Sequence, residues 1–435
     1  MSSLYSWSRF AFRTAANAAG AEGCPTKLNF IVTKRCHSRC TYCDIWKIKE
    51  TPGGLDGELT LDEVKAVASA NPFLQWIDFT GGEPTDRPDF PQIVQAFALQ
   101  CPDLLLAHFP TNGIATKRIT EMVTEIRRTV RARLVVSVSI DGPPELNDLL
   151  RGIRNDFAHA VDTFASVRHL LGPDNVFIGM TLHGHKASCG YTTSELIEQT
   201  FAAINDALRA REETLVGWSA LHLNIPHFSQ HYYGNIGSRG VDGFGGEAHR
   251  GEIAAALRLA ALKPSGTGIL PVSGDPRIST GKMPVPHPDH GQDARATSGL
   301  EPPATTGRFA PIVMRVIERI YRAEAMRYLA QGRTSVICSA LQSTVYLSEK
   351  GEVYPCTIWN KPLGNVRNTG YALMPIIEAA RRSGVRQTII DRRCPNCWTP
   401  CEAYPSILAS PLRSASATLT NRRSKSIPAP NPSLV

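Results

Sequence analysis

Short apolar runs recur along the first half of the chain, and segments with helical periodicity separate most of them. The six runs begin after Lys27, Gln75, Asp103, Arg133, Asn175 and Ser219. The intervening periodicity predicts helices near 87–100, 114–130, 155–171 and 193–211. Strands that alternate with helices imply right-handed crossovers and a parallel sheet. Six such units in about 200 residues predict an α/β fold, a partial (β/α)6 TIM-like barrel.

A loop with distinctive residue types follows each predicted strand. The loops contain the cysteines within 36–43, Gly81-Gly82-Glu83-Pro84, Thr111-Asn112-Gly113, Asp141-Gly142-Pro143, His183-Gly184-His185 and the segment from His227 to Tyr233. Because the carboxyl ends of parallel strands meet at one edge of a sheet, one mouth should collect all six loops. Thr60 and Glu63 form a capping box, which predicts a helix start after the first strand.

The chain divides into five predicted segments. They are an N-terminal helix or extension over 1–26, a core over 27–235, a low-complexity insertion over 264–308, a small cysteine-rich domain over 311–404 and a basic tail over 405–435. The stretch from Pro264 to Gly307 holds eight prolines and seven glycines. Such a composition cannot bury a core, so we expect the insertion to be disordered. We expect the same of the tail.

Composition and charge argue against some classes of function. The 435 residues are 42% apolar and 20% charged, which is typical of a soluble globular protein. The net charge is +8, but residues 406–435 contribute four basic residues and no acidic one. Half of the excess therefore lies in the tail, which argues against a nucleic-acid groove in the folded part. Because no secretory signal or membrane span is apparent, we expect a cytoplasmic protein.

Eight of the eleven cysteines fall into two tight groups, and the first group follows the first predicted strand. Disulfides would need an oxidising compartment, so closely spaced thiols in this chain indicate metal ligands. Cys36, Cys40 and Cys43 have C-x3-C-x2-C spacing. Three thiolates on one short loop suit an iron–sulfur cubane and leave its fourth iron open. Zinc is the alternative, although a structural zinc site wants four ligands.

Two motifs together resemble the radical SAM superfamily over roughly residues 27–235. They are Cys36-His37-Ser38-Arg39-Cys40-Thr41-Tyr42-Cys43 and Gly81-Gly82-Glu83-Pro84. The resemblance implies a [4Fe–4S] cluster on the three cysteines, with S-adenosylmethionine bound to the open iron. It also implies reductive cleavage of S-adenosylmethionine to a 5′-deoxyadenosyl radical, which abstracts hydrogen from a peptide or small-metabolite substrate. A reductant such as flavodoxin or ferredoxin would supply the electron.

The same resemblance implies a set of residues that bind S-adenosylmethionine. They are Tyr42, Gly81, Gly82, Glu83, Asn112, Ser139, Asp141 and Arg151. Residues 81–83 would hold the methionine amino group, and the backbone of Tyr42 would approach the adenine. Ser139 and Asp141 would contact the ribose, with Asn112 at the same rim. Arg151 would pair with the methionine carboxylate. Tight turns would also explain Gly81-Gly82 and Asp141-Gly142-Pro143.

The second cysteine group resembles the SPASM auxiliary-cluster extension in its short twitch form. Its members are Cys338, Cys356, Cys394, Cys397 and Cys401. A predicted hairpin with Gly351 in its turn precedes Cys356. The resemblance implies one auxiliary [4Fe–4S] cluster on Cys338, Cys356, Cys394 and Cys397, with Cys401 spare or replacing one of the pair. Two separated pairs of thiolates also suit zinc, so zinc stays open here.

The substrate and any catalytic acid or base are not evident from the residues. Aromatic and histidine side chains at the predicted rim are candidates for substrate contact. They are His183, His185, His222, His227, His231, Tyr232 and Tyr233. Two other functions remain open: an RNA-modifying radical enzyme and a non-catalytic, metal-stabilised binding protein. The absence of a basic stripe in the core disfavours RNA, and Gly81-Gly82-Glu83-Pro84 disfavours a scaffold without turnover.

Overall fold

The computed structural model describes residues 2–18, 23–182, 191–235, 246–262 and 309–410. The predicted insertion over 264–308 lies outside the described residues, and so does the predicted tail from residue 411 onward. His183 and His185 also lie outside them. Within the described ranges, no helix is both long and apolar enough to cross a membrane.

Six parallel strands form the centre of the molecule. They are β1 Lys27–Thr33, β2 Trp76–Gly81, β3 Leu106–Thr111, β4 Arg133–Ser139, β5 Val176–Thr181 and β6 Leu221–Asn224. Each strand pairs with the next in chain order, and every pairing is parallel. The predicted α/β class with a parallel sheet is therefore confirmed, and each of the six apolar runs contains a strand.

Helices connect the strands, as the periodicity predicts. They are α1 Ser2–Ala18, α2 Ile45–Ile48, α3 Leu61–Ala70, α4 Phe90–Gln100, α5 Thr116–Thr129, α6 Pro144–Arg151, α7 Asp156–Leu171, α8 Thr193–Ala210 and α9 Gly246–Leu262. The capping box of Thr60 and Glu63 opens α3 as predicted. The short helix α6 was not among the predicted segments. It starts with Pro144 in its first turn and ends at Gly152, whose φ of +67° suits glycine.

The C-terminal part extends the same sheet. Its elements are α10 Phe309–Gln331, β7 Thr344–Leu347, β8 Glu352–Tyr354, β9 Gly364–Asn365, α11 Met374–Arg382, α12 Val385–Ile390 and α13 Pro400–Leu408. Strand β7 pairs in parallel with β1, and β8 pairs antiparallel with β7. The predicted hairpin is confirmed, and Gly351 adopts φ +84° in its turn. The sheet order is β6-β5-β4-β3-β2-β1-β7-β8-β9.

Alternation along the strands separates an apolar face from a polar one. In β4, Leu134, Val136 and Val138 are buried, whereas the residues between them are partly accessible. The apolar face of the neighbouring strands packs against helices, where Phe90 contacts Phe109 edge to face at 5.1 Å between ring centroids. The opposite face carries polar side chains, and these surround the cavity described below.

Helix α13 links the first and last of the six parallel strands. On the β1 side, the Lys27 ammonium group donates a hydrogen bond to the Cys401 carbonyl oxygen at 2.7 Å. On the β6 side, the Tyr404 hydroxyl lies 2.9 Å from Nδ1 of His222. The C-terminal cysteine segment therefore forms a wall beside the polar face of the sheet.

Replacing Asp78 by Ala should destabilise the protein strongly. Lys27 Nζ lies 2.6 Å from Asp78 Oδ2, and the Lys27 side chain is only 1% exposed. The substitution leaves a buried ammonium group without its carboxylate, which costs about 3–5 kcal/mol of unfolding free energy. Urea denaturation of the two proteins measures the difference.

The matched control is Asp62→Ala. Lys65 Nζ lies 2.8 Å from Asp62 Oδ1, but the Asp62 side chain is 90% exposed. An exposed ion pair contributes about 0–1 kcal/mol, so this variant should unfold almost like the parent. Equal losses of unfolding free energy in the two variants would show that the buried ion pair contributes no more than the exposed one.

Candidate active site

Two backbone segments meet at the carboxyl ends of β1 and β2. The amide of Gly82 donates to the Thr33 carbonyl at 2.9 Å, and the amide of Glu83 donates to the Arg35 carbonyl at 2.6 Å. A Cβ atom on Gly82 would lie 2.0 Å from the Arg35 oxygen, and one on Gly81 would lie 2.2 Å from the Thr33 oxygen. Both glycines are therefore required, because this contact brings residues 81–84 against the start of the cysteine loop.

The other side of the cysteine loop contacts the end of α6. The amide of Arg39 donates to the Arg151 carbonyl, and the amide of Thr41 donates to the Leu150 carbonyl, both at 2.9 Å. A Cβ atom on Gly152 would lie 2.6 Å from the Arg39 oxygen. Loops after β1, β2 and β4 are thus fixed to one another through their backbones.

The segment after β6 covers the loop. Asn235 Nδ2 donates to the Tyr42 carbonyl at 3.1 Å, and Lys34 Nζ donates to the Tyr232 carbonyl at 2.8 Å. The Asp44 amide donates to the Tyr233 carbonyl at 2.9 Å. Lys34 and Asn235 were not among the predicted residues. A lysine two residues before Cys36 was the available signal in the sequence.

One cavity of about 660 Å³ lies against these loops. Cys36, Cys40 and Cys43 line it. All eight residues predicted to bind S-adenosylmethionine line it as well: Tyr42, Gly81, Gly82, Glu83, Asn112, Ser139, Asp141 and Arg151. The structure therefore brings the two sequence motifs and the predicted rim residues into one place.

Burial controls the protonation of the three thiols. It raises the pKa of Cys36, where the Glu83 carboxylate adds to the effect. Burial also raises the pKa of Cys40, against the opposing charge of Arg151, and it raises the pKa of Cys43 to about 12. The thiols are thus protonated at neutral pH, and binding a metal cluster would release their protons. Soft thiol donors grouped on one cavity fit an iron–sulfur cluster.

Within the described ranges, no group of three or more His, Cys, Asp or Glu side chains is arranged to hold one metal ion.

Glu83 joins the loops that follow β2 and β3. Its carboxylate accepts hydrogen bonds from the Asn112 amide at 2.6 Å, the Thr111 hydroxyl at 3.0 Å and the Thr85 hydroxyl at 2.7 Å. Burial raises its pKa, while the bond from Asn112 opposes the shift. The structure therefore shows that Glu83 anchors loops, a role that the sequence did not reveal.

Arg151 makes ion pairs within the protein. Its Nη1 lies 3.0 Å from Asp141 Oδ2 and 3.1 Å from the Tyr42 hydroxyl, which itself donates to Asp141 at 2.5 Å. Arg151 Nε lies 3.6 Å from Asp156 Oδ2. Asp141 also accepts a bond from the Thr181 amide at 2.8 Å. Tyr42, Asp141 and Arg151 line the cavity, but the sequence did not predict that they pair with one another.

The second cysteine group is divided between two cavities. Cys338, Cys356, Cys394 and Cys397 line a smaller cavity of about 40 Å³. Cys401 lines the large cavity together with the first triplet. Since α13 carries Cys401 and begins three residues after Cys397, the two cavities share one wall. Sequence spacing alone left Cys401 as a possible member of the set of four.

Glu402 lies on the same wall, and the sequence analysis missed it. Its side chain is buried and accepts hydrogen bonds from the Thr357 hydroxyl at 3.1 Å and from Asn29 Nδ2 at 3.3 Å. Burial raises its pKa, and the bond from the Thr399 hydroxyl opposes that shift. The carboxylate joins β1 to the cysteine-rich segment. An acidic residue directly after Cys401 was the only signal available.

The predicted rim residues separate into two sets. His222, His227, Tyr232 and Tyr233 line the large cavity. His231 instead stacks on Tyr354 at 4.2 Å between ring centroids, and its Nε2 lies 3.1 Å from the Cys356 carbonyl oxygen. It therefore contributes to packing next to the second cysteine group.

A polar group on α10 and α13 completes the wall near β6. The Tyr404 hydroxyl donates to Glu318 Oε2 at 2.7 Å, and Arg322 Nε lies 3.0 Å from Glu318 Oε1. Burial would raise the pKa of Glu318, but His222 and Arg322 lower it to about 2. The wall thus contains an ionised carboxylate at neutral pH. A salt-bridging Glu and Arg four residues apart on a helix was the signal for this pair.

Comparison with known proteins identifies the region that carries the triplet. Residues 30–188 match the family described as the Radical SAM superfamily. This region of the chain matches a radical SAM domain. The match includes the cysteine triplet, residues 81–84 and all of the predicted S-adenosylmethionine contacts. The family implies a [4Fe–4S] cluster and S-adenosylmethionine. The second cysteine group lies outside the match.

Curated relatives resemble this domain over part of their length. A probable GTP 3',8-cyclase of Archaeoglobus fulgidus is 30% identical over 139 residues, which are 29% of this chain and 43% of that protein. Mycofactocin maturase MftC of Mycobacterium tuberculosis is 33% identical over 135 residues, 29% of this chain and 31% of that protein. The chain thus matches less than half the length of these relatives. The radical SAM domain and the relatives named as maturases and cyclases support an enzyme of the radical SAM family.

Two further proteins resemble this chain, one in sequence and one in fold. Fe-coproporphyrin III synthase of Methanosarcina barkeri is 33% identical over 132 residues, 30% of this chain and 31% of that protein. The crystal structure of SuiB from Streptococcus suis superposes with a TM-score of 0.45 at 12% identity. That superposition covers 86% of this chain and 73% of SuiB.

Gly82→Ala should destabilise the protein and disturb the cysteine loop. Its Cβ atom would lie 2.0 Å from the backbone oxygen of Arg35, so one of the two loops must move. Overpacking of this kind costs about 1–3 kcal/mol of unfolding free energy. Gly251→Ala in α9 is the control, because nothing beyond the adjoining turns of its own helix lies within 4 Å of its added Cβ. Chemical denaturation should show a loss for Gly82→Ala alone, and an equal response in both variants would refute the close contact.

Proposed function

We propose that this enzyme cleaves S-adenosylmethionine reductively and uses the resulting radical to abstract hydrogen from a peptide or small metabolite. One observation carries the proposal: the cysteine triplet, residues 81–83 and the predicted cofactor contacts all line a single cavity. The relatives named as maturases and cyclases argue against the non-catalytic binding protein that the sequence left open. The proposal includes the partial barrel over 27–235 and a twitch-like domain over 311–404.

Cys36, Cys40 and Cys43 would hold the [4Fe–4S] cluster. Once reduced by an electron donor such as flavodoxin or ferredoxin, such a cluster would supply the one electron needed to cleave the C–S bond of S-adenosylmethionine, giving methionine and the 5′-deoxyadenosyl radical. Residues of this chain orient the cofactor and exclude water from the reaction. We assign the orienting role to Tyr42, Gly81, Gly82, Glu83, Asn112, Ser139, Asp141 and Arg151.

The volume of the cavity limits what can react there. About 660 Å³ falls within the range of small-molecule sites, which is about 300–1,000 Å³. The cofactor takes a large part of this space. The reacting part of the substrate is therefore a small molecule or one residue of a peptide.

An auxiliary [4Fe–4S] cluster on Cys338, Cys356, Cys394 and Cys397 would assist. These four cysteines share one small cavity, which supports them as the ligand set. Cys401 faces the substrate cavity and is excluded from the proposed set. Four residues span at most about 14 Å of chain, so Cys397 lies close to the substrate cavity. An electron released during substrate oxidation would have a short path to the auxiliary cluster. Zinc is the second candidate, because two separated pairs of thiolates also suit it.

Replacing Cys36, Cys40 and Cys43 together by Ala should abolish formation of 5′-deoxyadenosine. Without thiolates the cluster has no protein ligands and the sulfonium receives no electron. Anaerobically reconstituted protein is incubated with dithionite and S-adenosylmethionine, and the nucleoside is quantified by chromatography. Cys24→Ala, outside both cysteine groups, should retain the parent yield. Equal yields from the triple variant and the parent would eliminate the radical assignment.

A second comparison tests the auxiliary ligand set. In the triple-variant background, the reconstituted protein should hold about four irons and about four sulfides per chain. Adding Cys401→Ala should leave that iron content unchanged, whereas adding Cys397→Ala should lower it. Zinc in place of iron, or equal losses from the two added substitutions, would overturn the assignment.

A further inference from the structure

The large cavity extends along the sheet from the cysteine loop to the amino ends of the strands. Ser139 at one end of β4 and Arg133 at its other end both line it. Seven strand residues rise about 3.3 Å each, so these two ends lie about 20 Å apart. A molecule that reaches both ends must therefore be extended.

Two half-buried arginines line the far end, and neither makes an ion pair with a described residue. Arg133 donates to the Asn175 side-chain oxygen at 2.7 Å and to the Asp174 carbonyl at 2.5 Å. Arg168 donates to the Thr214 carbonyl at 2.6 Å. All of these acceptors are uncharged, so none of these hydrogen bonds pairs an arginine with a negative charge.

Arg319 on α10 is the third arginine that lines the cavity near this end. Its side chain is exposed and makes no hydrogen bond or ion pair with any described residue. The nearby Arg322 is different, because it is paired with Glu318 and also donates to the Leu221 carbonyl at 3.2 Å. The segment from Thr214 to Leu221 runs between Arg168 and Arg322. We call the three arginines that line this part of the cavity the arginine rim: Arg133, Arg168 and Arg319.

Two carboxylates lie near the rim and attract its charges, but neither forms an ion pair with Arg133 or Arg168 among the described contacts. Asp174 lines the cavity and lies near Arg133, but it forms no ion pair with that side chain among the described contacts. Glu213 lies near Arg168 and is paired with His169 at 2.8 Å. Burial lowers the pKa of both Arg133 and Arg168, which shows that their charges are partly desolvated. Partly buried charges are normally paired, so these two guanidinium groups favour an anionic ligand.

We propose that the arginine rim binds an oxyanion group, a carboxylate or a phosphate, at the end of the substrate farthest from the reacting carbon. The proposal rests on the proposed function and names its substrate class: an extended anionic molecule about 20 Å long. Arginine suits both oxyanions because its planar fork of N–H groups matches their geometry. An acidic peptide and a phosphorylated metabolite share this chemistry.

Calorimetric titration of the reconstituted protein tests the proposal. The probes are the acetylated tetrapeptide Ala-Ala-Glu-Glu, its glutamine analogue Ala-Ala-Gln-Gln and inorganic phosphate. We expect the acidic peptide or phosphate to bind saturably and the glutamine analogue to bind at least about tenfold more weakly than the acidic peptide. Preference for the peptide would identify a carboxylate ligand, and preference for phosphate would identify a phosphorylated one.

Variants connect the binding to the rim. Arg319→Glu and Arg168→Gln should each weaken binding of the preferred probe about tenfold. Arg382→Glu on α11 is the matched control, since its side chain is 71% exposed, and it should bind like the parent. Far-ultraviolet circular dichroism verifies that each variant is folded. If a rim variant is misfolded, the charge-neutral Arg319→Gln takes its place.

Three results would overturn the proposal: neither anion binds, the glutamine analogue binds as tightly as the acidic peptide, or the rim variants bind like the parent. Formation of 5′-deoxyadenosine without substrate is measured on the same samples. Its persistence together with absent anion binding would reject the arginine rim while leaving the proposed function standing. Its loss in the parent would reject the proposed function instead.

Discussion

The site depends on one close approach between two backbones. Gly82 contacts the chain at Arg35 so closely that a single methyl group would overlap the carbonyl oxygen. This contact positions the loop after β2 beside the cysteines, and the Glu83 carboxylate then joins it to the loop after β3. This contact is made by backbone atoms, so it fixes the edge of the cavity at which the cysteine loop meets residues 81–83.

The parallel sheet was predictable, since alternation of apolar runs with helical periods requires crossovers that bring strand ends together. The sequence also allowed the prediction that the three cysteines and residues 81–83 lie together, because each set follows a predicted parallel strand directly. The pairing of Arg151 with Asp141 was not, because it depends on the angle at which α6 follows β4. The same holds for Glu402 and Tyr404, which reach β1 and β6 only once α13 packs between them.

The position of α13 relates the two cysteine groups. The sequence left Cys401 either spare or replacing one of the Cys394–Cys397 pair, but the start of a helix at Pro400 directs Cys401 to one cavity and leaves Cys397 at the other. The wall between the cavities is therefore one short segment, anchored to β1 by Lys27. A substrate held at the arginine rim would extend along this wall toward the cysteine triplet. Charge at one end and redox chemistry at the other would then determine which molecules react.

Electron–nuclear double resonance on the reduced, reconstituted protein tests the central claim most directly. S-adenosylmethionine labelled with ¹⁵N at its amino group is added to protein whose second cysteine group has been replaced by alanine. If the triplet holds a cubane with an open iron, the cluster spin should couple to the labelled nitrogen, because that nitrogen binds the iron. A cluster signal that stays unchanged on addition of the cofactor, with no coupling to the label, would contradict the account.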